Sequence, residues 1–195
     1  MKLLLTLLIL NLMTLITNQK DTTKEIHLGG GCFWCVEAVF EDVKGVLSVT
    51  SGYAGGESKN PTYNMVSSGK TKHAEICKIT YNTSQIKLQE LLEIFFLTHD
   101  PTTLNRQGND IGSHYRSIIL FNNSQEEKII KNYILEINQN LYDNQIVTEV
   151  KKFKNFYNAE QYHQDYYKLN PKQPYCDAII RPKILKARKI LEKYY

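Results

Sequence analysis

Cys32 and Cys35 stand three residues apart in "GGGCFWCVE", Gly29 to Glu37, directly after three glycines and with the chain's one tryptophan, Trp34, between them. Only the thiolate form of cysteine is a nucleophile, so a reactive thiol needs help to lose its proton near neutral pH. The positive end of a helix dipole is one source of that help. Ahead of the glycines Ile26 and Leu28 alternate as in a strand, and after them Val36, Val39, Phe40 and Val43 fall at helical spacing until Gly45. Strand, glycine turn and helix together place Cys32 at or just before a helix N-terminus. The glycines let the backbone turn sharply and leave the sulfur within reach of a substrate.

Other chemistry is open to the pair. Structural zinc needs two further ligands at suitable spacing, and the sequence has neither a second C-x-x-C nor an H-x3-H. A phosphate cradle needs the spacing and the lysine of a P-loop, which "GGGC" lacks. A thioredoxin-like exchange motif suits a redox pair, but its setting is an alternating βαβ unit without the polar loops found here. Two structural cysteines are the plain alternative, weakened by the flanking glycines and by Phe33 and Trp34 at a partly exposed place. The four cysteines, Cys32, Cys35, Cys77 and Cys176, are too few for a disulfide scaffold in 195 residues.

The elements that must position these residues follow from patterning. "GVLSVTSGYAGG" is a second strand entering a glycine-rich loop, and the polar segment 54 to 72 continues as loop through "NPTY". "HAEICKITYN" is a strand with Glu75, Cys77, Ile79 and Tyr81 on one face, so that a carboxyl stands in line with core residues. Ser84 reads as the N-cap of a helix through Leu88, Leu91, Leu92, Phe95 and Phe96 that ends near "HDP". Beyond a polar loop come a strand "HYRSIILF", a helix from Ser124 to about Gln139, a strand around Ile146 to Val150 and a short Tyr-rich helix around Ala159 to Leu169. This order predicts a single-domain α+β fold, a two-layer sandwich with a mixed sheet.

Composition agrees with one folded domain: 42% of residues are hydrophobic and 23% charged. Residues 181 to 195 hold six Lys or Arg against one Glu, so the net charge of +4 is a property of that tail. Its Ile184, Leu185, Ile190 and Leu191 recur at roughly helical spacing, which predicts a surface helix with a solvated basic face rather than a nucleic-acid site. At the other end, Lys2 precedes a run rich in Leu and Ile from Leu3 to Ile16, the order of a signal peptide and too short to span a bilayer comfortably. Residues 1–20 are therefore expected to export the chain or tether it to a membrane, the alternative being a cytoplasmic protein with a buried first helix.

"GGGCFWCVE", "GYAGG", "NPTY", "HAE", "HDPTTLNRQGNDIGSHYRS" and "NFYNAEQYHQDYYKLNPKQPYC" occur in an order and at separations that resemble the A-type peptide methionine sulfoxide reductases, from about Ile26 to Cys176. The resemblance implies a catalytic domain over 24–180, flanked by the segment 1–20 and the basic helix or tail 181–195. It implies a two-layer fold around a mixed sheet and reduction of methionine-S-sulfoxide in proteins and peptides, with no metal or bound cofactor. Carried over by position, Cys32 is the nucleophile and Glu75 the acid, desolvation raising its pKa so that it keeps a proton near neutral pH. Tyr63 and Tyr115 match hydroxyls that hold the sulfoxide oxygen, and Phe33 and Trp34 the pocket for the S-methyl group. Asp110 and His163 match positions lining the site. Sulfenic acid on Cys32 then condenses with a second thiol. Cys176, in a Pro-flanked segment free to swing, matches the resolving position, with Cys35 as a secondary partner where the commoner family form has glycine. Cys77 reads as a small core hydrophobe. The expected partners are oxidised proteins and peptides and a thioredoxin-type dithiol as electron donor, the enzyme being a monomer with no nucleic-acid role.

Overall fold

A computed structural model describes residues 22–195; the segment expected to direct export, residues 1–20, lies outside the described residues. The chain runs through strand β1 (Thr23–Gly29), helix α1 (Phe33–Phe40), β2 (Val46–Ala54), a short helix α2 (Tyr63–Ser67), β3 (Ala74–Asn82) and α3 (Leu88–Thr98). A two-residue hairpin, β4 (Arg106–Gln107) and β5 (Asp110–Ile111), leads to β6 (Ile118–Phe121), α4 (Ser124–Leu141), β7 (Glu149–Lys152) and β8 (Phe156–Asn158). A single turn α5 (Tyr166–Leu169) and the basic helix α6 (Arg181–Ile190) follow. Six strands form one sheet in the order β7-β6-β1-β3-β2-β8, antiparallel except for the parallel β6–β7 pair. The α+β fold with a mixed sheet is as the sequence predicts.

The sheet is buried on both sides, unequally. Leu28, Cys77, Ile79 and Tyr81 share the larger core with α1, α3 and α6, whereas Ala54, Ala74, Ile76, Ile118 and Leu120 form a smaller cluster beneath Phe153 and Phe156. With both faces covered, β3 reads as a nearly continuous buried run at its start, Glu75 included. β3 sits between β1 and β2, with Cys77 opposite Leu28 on one side and Glu75 opposite Tyr53 on the other. Glu75 therefore projects from the middle of the sheet toward the N-terminus of α1.

The turn before α1 depends on Gly31, whose φ of 95° lies where side chains are disfavoured. A Cβ there would also stand 2.5 Å from Cγ of Gln107. The chain thus enters α1 against the hairpin loop with no space for a side chain.

Several boundaries differ from the sequence expectation. The loop 54–72 contains α2, capped by Thr62, whose Oγ1 accepts from the Met65 N–H. Ser84 is not an N-cap: its N–H and hydroxyl donate to Asn82, and α3 starts at Leu88, where the Glu90 carboxylate accepts from the Lys87 N–H. The strand expected at 146–150 is Glu149–Lys152, and β8 was not foreseen. The Tyr-rich segment is one 3-10 turn, Gln161–His163, and the turn α5, separated because Asp165 takes a left-handed φ of 52°. Gln164 holds that break to β2, accepting from the Ser51 N–H and donating to the Ser51 and Ala159 carbonyls. The basic segment is a helix that buries Ile184 and Ala187 and exposes Leu185 and Ile190. The segment at Cys176 is helical too, Cys176–Ile180 winding directly into α6, and Cys176 is 0% exposed rather than in a free-swinging coil.

Gly31→Ala is expected to lower stability by at least about 1 kcal/mol, since a left-handed conformation alone costs a side chain about that much. A urea midpoint equal to wild type would show that the turn relaxes without cost.

Candidate active site

Cys32 caps α1 with φ −57° and ψ 125°, and its carbonyl accepts the Cys35 N–H at 3.0 Å. The first N–H groups of a helix have no partner within it. Here the orphan N–H of Phe33 donates to Oε2 of Glu75 at 3.0 Å, a buried contact between residues 42 apart in sequence. The Trp34 N–H is directed at the Cys32 sulfur. A strand carboxyl and a helix terminus thereby converge on one thiol.

Cys32, Phe33, Trp34, Tyr63, Glu75, Asp110, Tyr115 and Tyr175 enclose a cavity of ≈ 70 Å³. Seven of these are predicted site residues brought from five parts of the chain; Tyr175 is the addition. Its hydroxyl donates to Oδ2 of Asp110 at 2.7 Å and lies 3.7 Å from the Cys35 sulfur. The Tyr63 hydroxyl is within hydrogen-bonding reach of Tyr115. Trp34 stacks face to face on Tyr166, ring centroids 3.6 Å apart. One wall is thus aromatic and apolar while the other carries hydroxyls and two carboxyls.

Burial fixes the protonation of this cluster. Glu75 is 2% exposed, and desolvation pushes its pKa up to about 8 against the pull of the Phe33 N–H, with Asp110 and Cys35 adding to the rise. It is a carboxylic acid at neutral pH, able to give a proton to an oxygen placed in the cavity. The helix terminus does not by itself give Cys32 a low pKa: burial pushes the thiol well up, and its hydrogen bond with Cys35 and the nearby Glu75 add to this. The same interaction with the Cys32 thiol pulls Cys35 down to about 7 against its own burial, aided by Lys183 and the Tyr175 hydroxyl. Of the two neighbouring thiols, Cys35 is thus the one whose ionisation the surroundings favour.

The other predicted residues take different places. His163 does not line the cavity; it packs behind it, its ring 5.0 Å from Phe33 and 4.7 Å from Tyr63, and burial lowers its pKa. Cys176 is absent from the wall and buried next to Tyr175, where burial first and then the nearby Cys35 raise its pKa. Cys77 is buried beneath α1, donating to the Phe33 carbonyl at 3.3 Å. Among the described residues no group of three or more His, Cys, Asp or Glu could hold a metal ion.

Three supports escaped the sequence reading. Glu160 accepts from the Tyr53 hydroxyl and the Tyr63 N–H, both at 2.8 Å, and so fixes Tyr63 over the cavity. Glu37, buried in α1, accepts from the Ser51 hydroxyl and the Tyr166 N–H, and desolvation raises its pKa to about 7. Tyr175 had only its place in "PYC" to mark it. Glu37 had the clearer signal, a carboxyl within an apolar helical stripe.

A family model described as peptide methionine sulfoxide reductase matches residues 24–194. A peptide methionine sulfoxide reductase of Trichodesmium erythraeum is 53% identical over 165 residues, 84% of this chain and 93% of the relative. Among solved structures, reduced Mxr1 of Saccharomyces cerevisiae is similar with a TM-score of 0.75 and 35% identity, covering 82% of this chain and 92% of its own. Mxr1 in complex with Trx2 is similar with a TM-score of 0.53 and 27% identity, over 77% of this chain and 91% of that one.

Because the folded-state pKa of Glu75 is raised, the stability associated with its neutral form is fully present below the unfolded value of 4.5 and is lost as pH rises through about 8. Glu75→Gln lacks that slope. Its melting temperature is expected to gain on wild type between about pH 5 and about pH 8; a constant difference would mean that Glu75 titrates as an ordinary carboxylate.

Proposed function

The chain belongs to the peptide methionine sulfoxide reductase family, and from that premise we propose how its own residues reduce methionine-S-sulfoxide in peptides and proteins. One observation carries the assignment of roles: a carboxyl buried enough to stay protonated shares a ≈ 70 Å³ cavity with the Cys32 thiol. The substrate's S-methyl group sits against Phe33 and Trp34, and its oxygen accepts from the Tyr63 and Tyr115 hydroxyls. Cys32, its proton taken up through Cys35, attacks the sulfoxide sulfur and forms an S–S bond while Glu75 protonates the sulfoxide oxygen. The hydroxyl then passes from the substrate sulfur to the Cys32 sulfur, the substrate's S–O bond and the S–S bond both breaking, so that Cys32 is left as sulfenic acid and the substrate leaves as a thioether. Asp110 orients Tyr175 beside the sulfurs, and His163 supports the aromatic wall from behind.

Recycling follows from what is near. A thiol condenses with the sulfenic acid, forming a disulfide and releasing water. We assign that first step to Cys35, whose sulfur is hydrogen-bonded to Cys32, and the later one to Cys176, whose burial in a helical segment supports a second place in the order. This reverses the ranking expected from family position. A thioredoxin-type dithiol as final reductant is supported by the yeast relative solved with Trx2. The charge-then-apolar order of residues 1–20 supports export or membrane tethering, in which case the donor must be kept reduced outside the cytosol.

With a racemic methyl sulfoxide and dithiothreitol, only the S epimer should disappear. Cys32→Ser should abolish the loss, and Glu75→Gln should slow it by about 10²–10⁴-fold, the usual worth of a general acid. Loss of both epimers, or of neither, would overturn the assignment. Peptide mapping of protein recovered from its own cells and taken through one turnover should find chiefly a Cys32–Cys35 bridge and a processed or membrane-bound N-terminus; a dominant Cys32–Cys176 bridge restores the opposite order, and an intact N-terminus in the soluble fraction removes the case for export.

A further inference from the structure

Beside the catalytic pocket lies a larger cavity of ≈ 450 Å³, lined by Gln107, Asp110, Tyr175, Ala178, Ile179 and Lys183 among others. The two share a wall, the Asp110 carboxylate and the Tyr175 hydroxyl joined by their 2.7 Å hydrogen bond. The catalytic pocket, ≈ 70 Å³, is much the smaller of the two. The rest of a peptide substrate must lie outside it, and the adjoining cavity is the space it meets past Tyr175.

That cavity has a chemical preference. Ala178, Ile179 and the Tyr175 ring offer apolar surface to methylene groups, and Lys183 supplies a cation. Arg181, Arg188 and Lys193 from the same stretch pair with Asp177, Asp42 and Glu93, whereas among the described residues Lys183, Lys186 and Lys189 have no carboxylate within ion-pair distance, and of these three only Lys183 lines the cavity. The Asp110 carboxylate, which borders the same cavity, accepts from the Tyr175 hydroxyl on the side shared with the catalytic pocket and is not ion-paired with Lys183. Lys183 is half-buried and lines the cavity together with Tyr175, Ala178 and Ile179.

We propose that this cavity is a subsite for the residue flanking the oxidised methionine, and that Lys183 makes it favour a side chain with a carboxylate on an aliphatic stem. Resting on the reductase reading, it adds a substrate preference. A glutamate neighbour would lay its methylenes on Ile179 and Ala178 and its carboxylate against the Lys183 ammonium. A lysine neighbour would bring two cations together.

Competition between two peptides tests this, the peptides differing only in glutamate or lysine on both sides of one methionine-S-sulfoxide, with dithiothreitol as an uncharged donor. The ratio of their consumption is a ratio of kcat/KM values and cancels any change in recycling or in the chemistry at Cys32. Wild type should consume the glutamate peptide about three- to fivefold faster, the scale of a partly exposed ion pair. Salt at about 0.5 M should bring the ratio toward one, and Lys183→Glu should invert it. Equal consumption by wild type, a salt-independent ratio or the same ratio in Lys183→Glu would overturn the subsite. Consumption of neither peptide would instead overturn the reductase reading.

Discussion

The hydrogen bond from the Phe33 N–H to the Glu75 carboxyl is the contact on which the site depends. It satisfies a helix-terminal donor that would otherwise be buried without a partner, at a cost of about 1–3 kcal/mol. In doing so it fixes α1 to the middle of the sheet and turns the carboxyl toward Cys32. A hydrogen bond from an amide favours the charged form of a carboxylate, yet burial outweighs it, and the acid stays neutral. The same arrangement therefore sets both the position of the Cys32 thiol and the protonation of the Glu75 carboxyl.

A second carboxyl, Glu37, sits on the same helix and serves a different end. Facing Ser51 and the Tyr166 N–H, it joins α1 to β2 and to the turn that carries Tyr166, the ring beneath Trp34. Glu160 plays the corresponding part for Tyr63. Phe33, Glu75, Tyr63, Asp110 and Tyr175 are thus each held by a buried or half-buried polar contact from a distant part of the chain. Such networks are costly when incomplete and give a single geometry when complete.

Local patterning made the strand–glycine–helix entry to Cys32 legible, and period-two alternation put Glu75 on the core-facing side of its strand. Both depend on residues close in sequence. The roles of Tyr63, Asp110 and Tyr115 came from the resemblance alone, because a loop residue carries no periodic signal of where it will point. Ser84 misled because a good N-cap residue is equally a good turn residue, and the Asn82 side chain claimed it for the turn. Cys176 misled for another reason: prolines at 171 and 174 suggested a loose segment, but Ile180 and Ile184 give the following helix enough apolar surface to hold that segment in the core. Tyr175 and Glu160 depend on tertiary contacts that no local window contains.

Trp34 is the chain's single tryptophan, and it lies in the wall of the catalytic pocket, stacked on Tyr166 and near His163 and Tyr175. The tryptophan emission of the whole protein therefore originates from one indole beside the Cys32 sulfur. Substrate entry, oxidation of the adjacent thiols and any separation of the Trp34–Tyr166 stack all change the surroundings of that one ring. The enzyme carries an intrinsic optical reporter of its catalytic cycle, with no label to perturb the pocket it reports on.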